Sequence, residues 1–248
     1  MQSQTSSILF ENFRLTRRDL TKELWTKHSS ELMTMVVSQY LNKDPSSRGL
    51  TYEQLHQYFK EEYDQIFTKD ESFVQAFLFF NEKEEIVGTF MFRDAFLYTE
   101  THKKILEKMQ ETDTFYDYYV QFCKIGDSYW KKYSTGAGEC LYGTNLAFSA
   151  KFLESLKDKQ VLQMILAVFI NLNGWWRQKR FEGKYRYSMW TQFRKSLITT
   201  TEALFHCLES EDFKFVAGDN SKINGKLFFV EQKSEEDIEK LWIKSSKL

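Results

Sequence analysis

Between Thr21 and Tyr40, Leu24, Trp25, His28, Leu32, Met35 and Val36 recur at helical spacing and predict an amphipathic helix. Before it, Ser7 to Thr16 alternates roughly and reads as a short strand, with Arg17, Arg18 and Asp19 leading into the helix. Asn42 to Gly49 is a turn, and Thr51 with Gln54 has the spacing of a capping box. The box opens a second helix that carries Leu55, Tyr58, Phe59, Tyr63, Ile66 and Phe67 on one face. Ser72 to Phe80 and Ile86 to Tyr98 are dense in β-formers and flank the polar stretch Asn81 to Glu85, which predicts a hairpin. Thr101 to Lys132 reads as two short helices broken near Gly126.

Gly138 to Arg180 organises the second half. It reads as a strand (Glu139 to Phe148), a polar linker and an apolar helix from Gln160. Lys184 to Gln192 then reads as a strand and Arg194 to Leu208 as a helix. Phe213 to Ala217 and Lys226 to Glu231 form a second hairpin around the turn-prone GDNSKING, and Ser234 to Lys244 closes the chain as a helix.

Composition narrows the class. A chain of 248 residues suits one large domain, and 23 Phe predict an aromatic core. The net charge of −1 gives no general attraction to nucleic acid or anionic membrane. Cys123, Cys140 and Cys207 are isolated, which argues against a disulfide framework or a zinc site and suits a reducing, cytoplasmic location. The N-terminus lacks a secretory pattern. The most apolar window, Val161 to Leu172, falls short of the roughly 20 residues a membrane span needs. Trp175 to Arg186 is a basic-aromatic cluster able to clamp single-stranded nucleic acid, although a helix C-terminus with its favourable cations explains it as well.

The element order β-α-α-β-β-(helical insert)-β-α-β-α-β-β-α, the phrase Ile86-Val87-Gly88-Thr89 and the run Asp212 to Phe215 resemble the GNAT superfamily of N-acetyltransferases. The helical insertion at 99–133 resembles its arylalkylamine branch. The resemblance implies one α+β domain, with a mixed, mostly antiparallel twisted sheet flanked by helices and a fourth and fifth strand that splay apart. It implies acetyl-CoA as co-substrate, with its pantetheine arm pairing along Leu146, Ala147 and Phe148. The family's phosphate loop, Arg/Gln-x-x-Gly-x-Gly/Ala, falls on Ser155 to Val161, where both glycines are absent. Lys157 and Lys159 there attract phosphate, Asp158 repels it, and Gln160 and Val161 begin the helix.

Thr200, Ala203 and Cys207 occupy the positions of the family's Asn, Ala and Tyr, so the resemblance puts the acid's position at Cys207, beside His206. Glu139 is the candidate general base, and Tyr142 a candidate to face the acceptor cleft. Each has a plainer reading as a strand end, a packed histidine, a small core thiol or a sheet aromatic. Three functions stay open: N-acetyl transfer to a small or protein amine, a GNAT fold without catalysis that serves as a binding module, and nucleic-acid binding through Trp175 to Arg186.

Overall fold

The computed structural model describes residues 13–68, 72–113, 115–157, 160–161, 163–165, 168, 185–205, 207–231 and 240. Its elements run β1 (Thr16–Asp19), α1 (Lys22–Lys43), a 3-10 turn (Pro45–Ser47), α2 (Tyr52–Gln65), β2 (Phe73–Phe80) and β3 (Ile86–Asp94). They continue through α3 (Ala95–Leu106), α4 (Tyr116–Tyr133), β4 (Cys140–Phe148), α5 (Ala150–Glu154), β5 (Tyr187–Gln192), α6 (Lys195–Leu204), β6 (Glu209–Val216) and β7 (Lys222–Glu231). The strands make one seven-stranded sheet in the order β1-β2-β3-β4-β5-β7-β6. Every neighbouring pair is antiparallel except β4–β5. The α+β class and the mostly antiparallel sheet are therefore as the element order implied.

Alternation along the strands sends side chains to two opposite layers. On one face Leu78, Phe80 and Met91 pack on Leu32, Val36 and Phe59 of α1 and α2. Farther along the sheet, Cys140, Tyr142 and Met189 pack on Tyr98, Phe122 and Tyr129 of α3 and α4. The neighbouring residues Leu141, Trp190 and Phe228 join a second layer with Phe90, Met164 and Val168. A large side chain buried in this way contributes about 1.5–3 kcal/mol.

Local chemistry sets most boundaries. Thr21 Oγ1 accepts the Leu24 amide at 3.2 Å and starts α1. The capping box forms as the spacing predicted, with Gln54 Oε1 accepting from the Thr51 amide at 2.9 Å and Thr51 Oγ1 accepting from the Gln54 amide at 3.2 Å.

Several boundaries differ from the sequence expectation. Arg17, Arg18 and Asp19 are strand, paired to Phe79, Leu78 and Phe77. The guanidinium groups of Arg17 and Arg18 lie over Phe77 and Phe80 at 4.9 and 4.5 Å, which lets an edge strand carry charge. The third strand stops at Asp94, because Asp94 Oδ1 accepts the Leu97 amide at 3.0 Å and caps α3. The helical break falls between α3 and α4, and Gly126 lies inside α4. A Cβ on Gly126 would stand 3.1 Å from Thr99 Oγ1, so the glycine allows α3 and α4 to approach closely. The linker after β4 holds a short helix, with Ser149 Oγ accepting the Phe152 amide at 3.2 Å. The α6 helix ends at Leu204, and β6 and β7 extend into the expected loop, leaving a tight turn closed by Ala217 N–H to Ser221 C=O at 2.9 Å. The first strand, expected over 7–16, begins only at Thr16: positions 13–14 are a turn before it, and 7–12 lie outside the described residues, as does the closing helix at 234–244 save Lys240, which is helical.

The Arg93 guanidinium is buried between these layers with its partner Glu62. Arg93 is 0% exposed. It donates to the Glu62 carboxylate at 3.0 Å and to Ser72 Oγ at 3.3 Å, and lies 5.2 Å from the Tyr98 ring centroid.

Candidate functional site

The parallel strands β4 and β5 pair only at Cys140–Tyr187, Leu141–Ser188 and Tyr142–Met189. Beyond these pairs they diverge. The cause is in β4, where the register against β3 jumps between Thr89–Ala147 and Met91–Thr144. Asn145 and Leu146 therefore stand opposite Phe90 alone, and Asn145 has φ 54°. A bulge of this kind bends its strand and increases its twist. Meanwhile β5 stays in register with β7 as far as Gln192–Lys226.

The wedge between them is a cavity of about 640 Å³ that reaches both faces of the sheet. On one side Leu153, Leu156, Val161 and Ile165 line it, together with Arg194 and Leu197 at the start of α6. On the other side Tyr40, Tyr58, Tyr98, Phe115, Tyr118 and Tyr119 line it. Asp44 lies at that mouth, its Oδ1 accepting from the Ser46 amide at 2.9 Å and from Ser46 Oγ at 2.7 Å. At the apex of the wedge Tyr142 OH meets Tyr118 OH at 3.1 Å and Thr191 Oγ1 at 3.2 Å. The Tyr98 and Tyr142 rings stack with centroids 5.5 Å apart, and Tyr58 and Phe115 tilt together at 5.4 Å.

Burial pushes the Tyr58, Tyr98, Tyr118 and Tyr142 phenols above their ordinary value. They are hydrogen-bond donors at neutral pH. Arg194 is the one cationic side chain among the described residues that line the cavity, and Asp44 and Glu154 are the carboxylates.

Of the residues singled out from sequence, Tyr142, Leu146, Phe148 and Val161 come together around this cavity. Ala147 is 0% exposed and packs in the layer beside it. Lys157 is exposed just before the next helical stretch, and its amide donates to Gln160 Oε1 at 2.9 Å. The Val161 amide donates to the Lys157 carbonyl at 3.0 Å. The Lys157 and Val161 amides are thus engaged in starting the helix.

Glu139 is not brought to the cavity. It sits at the paired end of β4, with Oε2 accepting the Gly136 amide at 2.7 Å to close a turn. Cys207 is half-buried beside β6, its Sγ 3.8 Å from the Phe205 carbonyl, and Thr200 lies along α6; neither lines the cavity. Lys159 and His206 lie outside the described residues, as does most of the Trp175 to Arg186 cluster. Arg186 itself is bonded to Glu231 at 2.8 Å. Among the described residues no group of His, Cys, Asp or Glu could hold a metal ion. No described helix is long and apolar enough to cross a membrane.

Sequence reasoning missed Gln39, Asp44, Tyr118, Thr191 and Arg194. Tyr118 and Tyr119 lie within a helical stripe with Phe115 and Phe122, which in a sequence is indistinguishable from core. Gln39 is a polar residue at the apolar-face spacing of its helix, seven after Leu32 and three after Val36, and that inward position was the signal available.

No family model matches the sequence, and no curated protein does either. Solved structures do match. One is the C-terminal condensation domain of Ebony in complex with beta-alanyl-dopamine, with a TM-score of 0.59, 13% identity, and coverage of 88% of this chain and 98% of that one. An agmatine N-acetyltransferase and a polyamine N-acetyltransferase of Drosophila melanogaster that forms N-acetylagmatine each match with a TM-score of 0.54 and 10% identity. Each match covers 88% of this chain and 99% of the other. At such identities the likeness is one of architecture: this chain has the fold of the GNAT N-acetyltransferases.

Proposed function

We propose that the chain transfers an acyl group from acyl-CoA to the nitrogen of a small amine within the β4–β5 wedge. The observation that carries this reading is the wedge itself. It is a cavity of about 640 Å³ through the sheet, with a helix start and Arg194 at one mouth and a tyrosine-lined chamber at the other. Acyl-CoA supplies the activated thioester. Arg194, with the exposed Lys157 next in sequence to the lining residue Leu156, attracts the phosphates in place of a glycine cradle. The apolar Leu153, Leu156, Val161 and Ile165 exclude water from the arm.

The acceptor enters the tyrosine chamber. Asp44, held by Ser46, takes the ammonium, and the rings of Tyr58, Tyr98 and Tyr119 attract the cation and its apolar body. One carboxylate at that mouth suits an amine with one positive charge and an aromatic or apolar body better than a polyamine. In the reaction the amine nitrogen forms a bond to the thioester carbon and the carbon–sulfur bond breaks. The ammonium loses one proton to water before it attacks, and the nitrogen loses a second to water as the amide forms, because Glu139 is remote. The departing thiolate takes a proton through the Tyr118–Tyr142–Thr191 hydroxyl chain, which water restores, so one proton is released in all.

The test is incubation with acetyl-CoA and tyramine, with the N-acetyl product read by mass. Amine-dependent product supports the reading. Its absence, together with retained CoA binding, favours the fold serving as a binding module.

A further inference from the structure

Gln39 projects from α1 into the wedge, and both ends of its carboxamide are bonded to β4 there. Its Nε2 donates to the Leu146 carbonyl at 3.0 Å, and its Oε1 accepts the Phe148 amide at 2.6 Å. These two main-chain groups belong to the open edge of β4. The Ser149 amide bonds to the Val87 carbonyl at 2.9 Å, so Ser149 and Ala147 address β3. The alternating residues Leu146 and Phe148 therefore address the side where β5 has diverged. A side-chain amide that donates to one residue and accepts from the next but one reproduces what the N–H and C=O of a single residue in a neighbouring extended strand make on a strand edge. The orientation of the carboxamide is dictated, because a carbonyl only accepts and a main-chain N–H only donates.

We propose that Gln39 is an internal surrogate for a ligand's amide groups, and that it sets the affinity of the wedge for pantetheine-bearing ligands by competing for the Leu146 and Phe148 edge. This rests on the acyl-CoA reading. The N–H of one pantetheine amide and the C=O of the other can pair with the Leu146 carbonyl and the Phe148 amide only when Gln39 turns away. Binding therefore exchanges one pair of hydrogen bonds for another instead of adding a pair. It also fits the shape of the helix: α1 is 22 residues long, and Gln39 stands in its last turns, between the buried Val36 and Val37 and the 3-10 turn that carries the Ser46–Asp44 bonds. A swing of Gln39 out of the wedge leaves the apolar anchors of α1 in place.

The experiment compares the wild-type chain with Gln39→Leu, which keeps the volume and removes both hydrogen bonds. Two probes are titrated by calorimetry: coenzyme A, and adenosine 3′,5′-bisphosphate, which lacks the pantetheine arm. The expected result is coenzyme A binding about tenfold tighter in the variant, with bisphosphate affinity unchanged. Equal coenzyme A affinity in the two proteins, or an equal gain for both probes, overturns the proposal. If neither protein binds coenzyme A, the acyl-CoA reading falls and takes this inference with it; binding by the variant alone is the strongest support. Where Gln39→Leu folds poorly, the wild-type protein answers by NMR. Coenzyme A must shift the Gln39 side-chain amide pair, while the bisphosphate leaves it in place. An unmoved Gln39 signal at saturating coenzyme A overturns the proposal.

Discussion

Tyr142 stands at the last paired position of β4, and its hydroxyl joins the insertion to the fifth strand through Tyr118 and Thr191. A phenol held protonated by burial is a donor, and in the proposed reaction the apex of the wedge is where the thiolate leaves. Tyr142→Phe keeps the stacking on Tyr98 and removes only the hydroxyl. We expect kcat to fall about a hundredfold with little change in KM for acetyl-CoA. Steady-state kinetics check this, and an unaltered kcat would assign the residue to packing alone. At this scale the sequence was partly legible. Tyr142 was readable because strand alternation with Cys140 and Thr144 put it on one face. Thr191, Tyr118 and Gln39 were not, because each matters only through what the fold brings beside it. Glu139 was legible as a strand-end carboxylate, but the direction of β4 points it away from the wedge.

Elements followed the sequence where local chemistry decides. The Thr51–Gln54 box and the β2–β3 hairpin are examples. Elements departed from it where tertiary contact decides. Glycine disfavours a helix interior by about 1 kcal/mol, which is why Gly126 read as a break. In the folded chain α4 runs through it, where a Cβ would press on Thr99 of α3 at 3.1 Å. The same two helices carry Tyr98, Tyr118 and Tyr119 into the chamber, so this contact positions the lining of the proposed acceptor site. Gly126→Leu should force α3 and α4 apart and cost about 1–3 kcal/mol, read as a lower urea midpoint. A midpoint equal to or above that of the wild type would show that close approach is not what the glycine provides.

For the whole molecule, the buried tyrosines give a pH signature. Burial raises the Tyr40, Tyr58, Tyr98, Tyr118 and Tyr142 phenols in the folded chain. In the unfolded chain they ionise near about pH 10. Below that pH the two states hold the same phenolic protons and the stability is fully present. Above it the unfolded chain releases protons that the folded chain keeps, so stability falls as pH rises. Urea midpoints should drop above about pH 10, and part of the tyrosinate absorbance should appear only with unfolding. A midpoint that stays level through this range, with every phenol ionising in the folded protein, would contradict the buried cluster. The splay of the fourth and fifth strands was implied by the likeness in element order, while its local cause was not legible, because the bulge at Asn145 and Leu146 leaves no mark in residue pattern.

The central claim is acyl transfer in that wedge. The most direct measurement is the amount of N-acetyltyramine formed from acetyl-CoA and tyramine by the wild-type chain, set against the same reaction with spermidine. We expect amine-dependent product accompanied by an equal amount of free coenzyme A, faster with tyramine than with spermidine. Release of coenzyme A that is indifferent to amine, or no product with any amine, would contradict it.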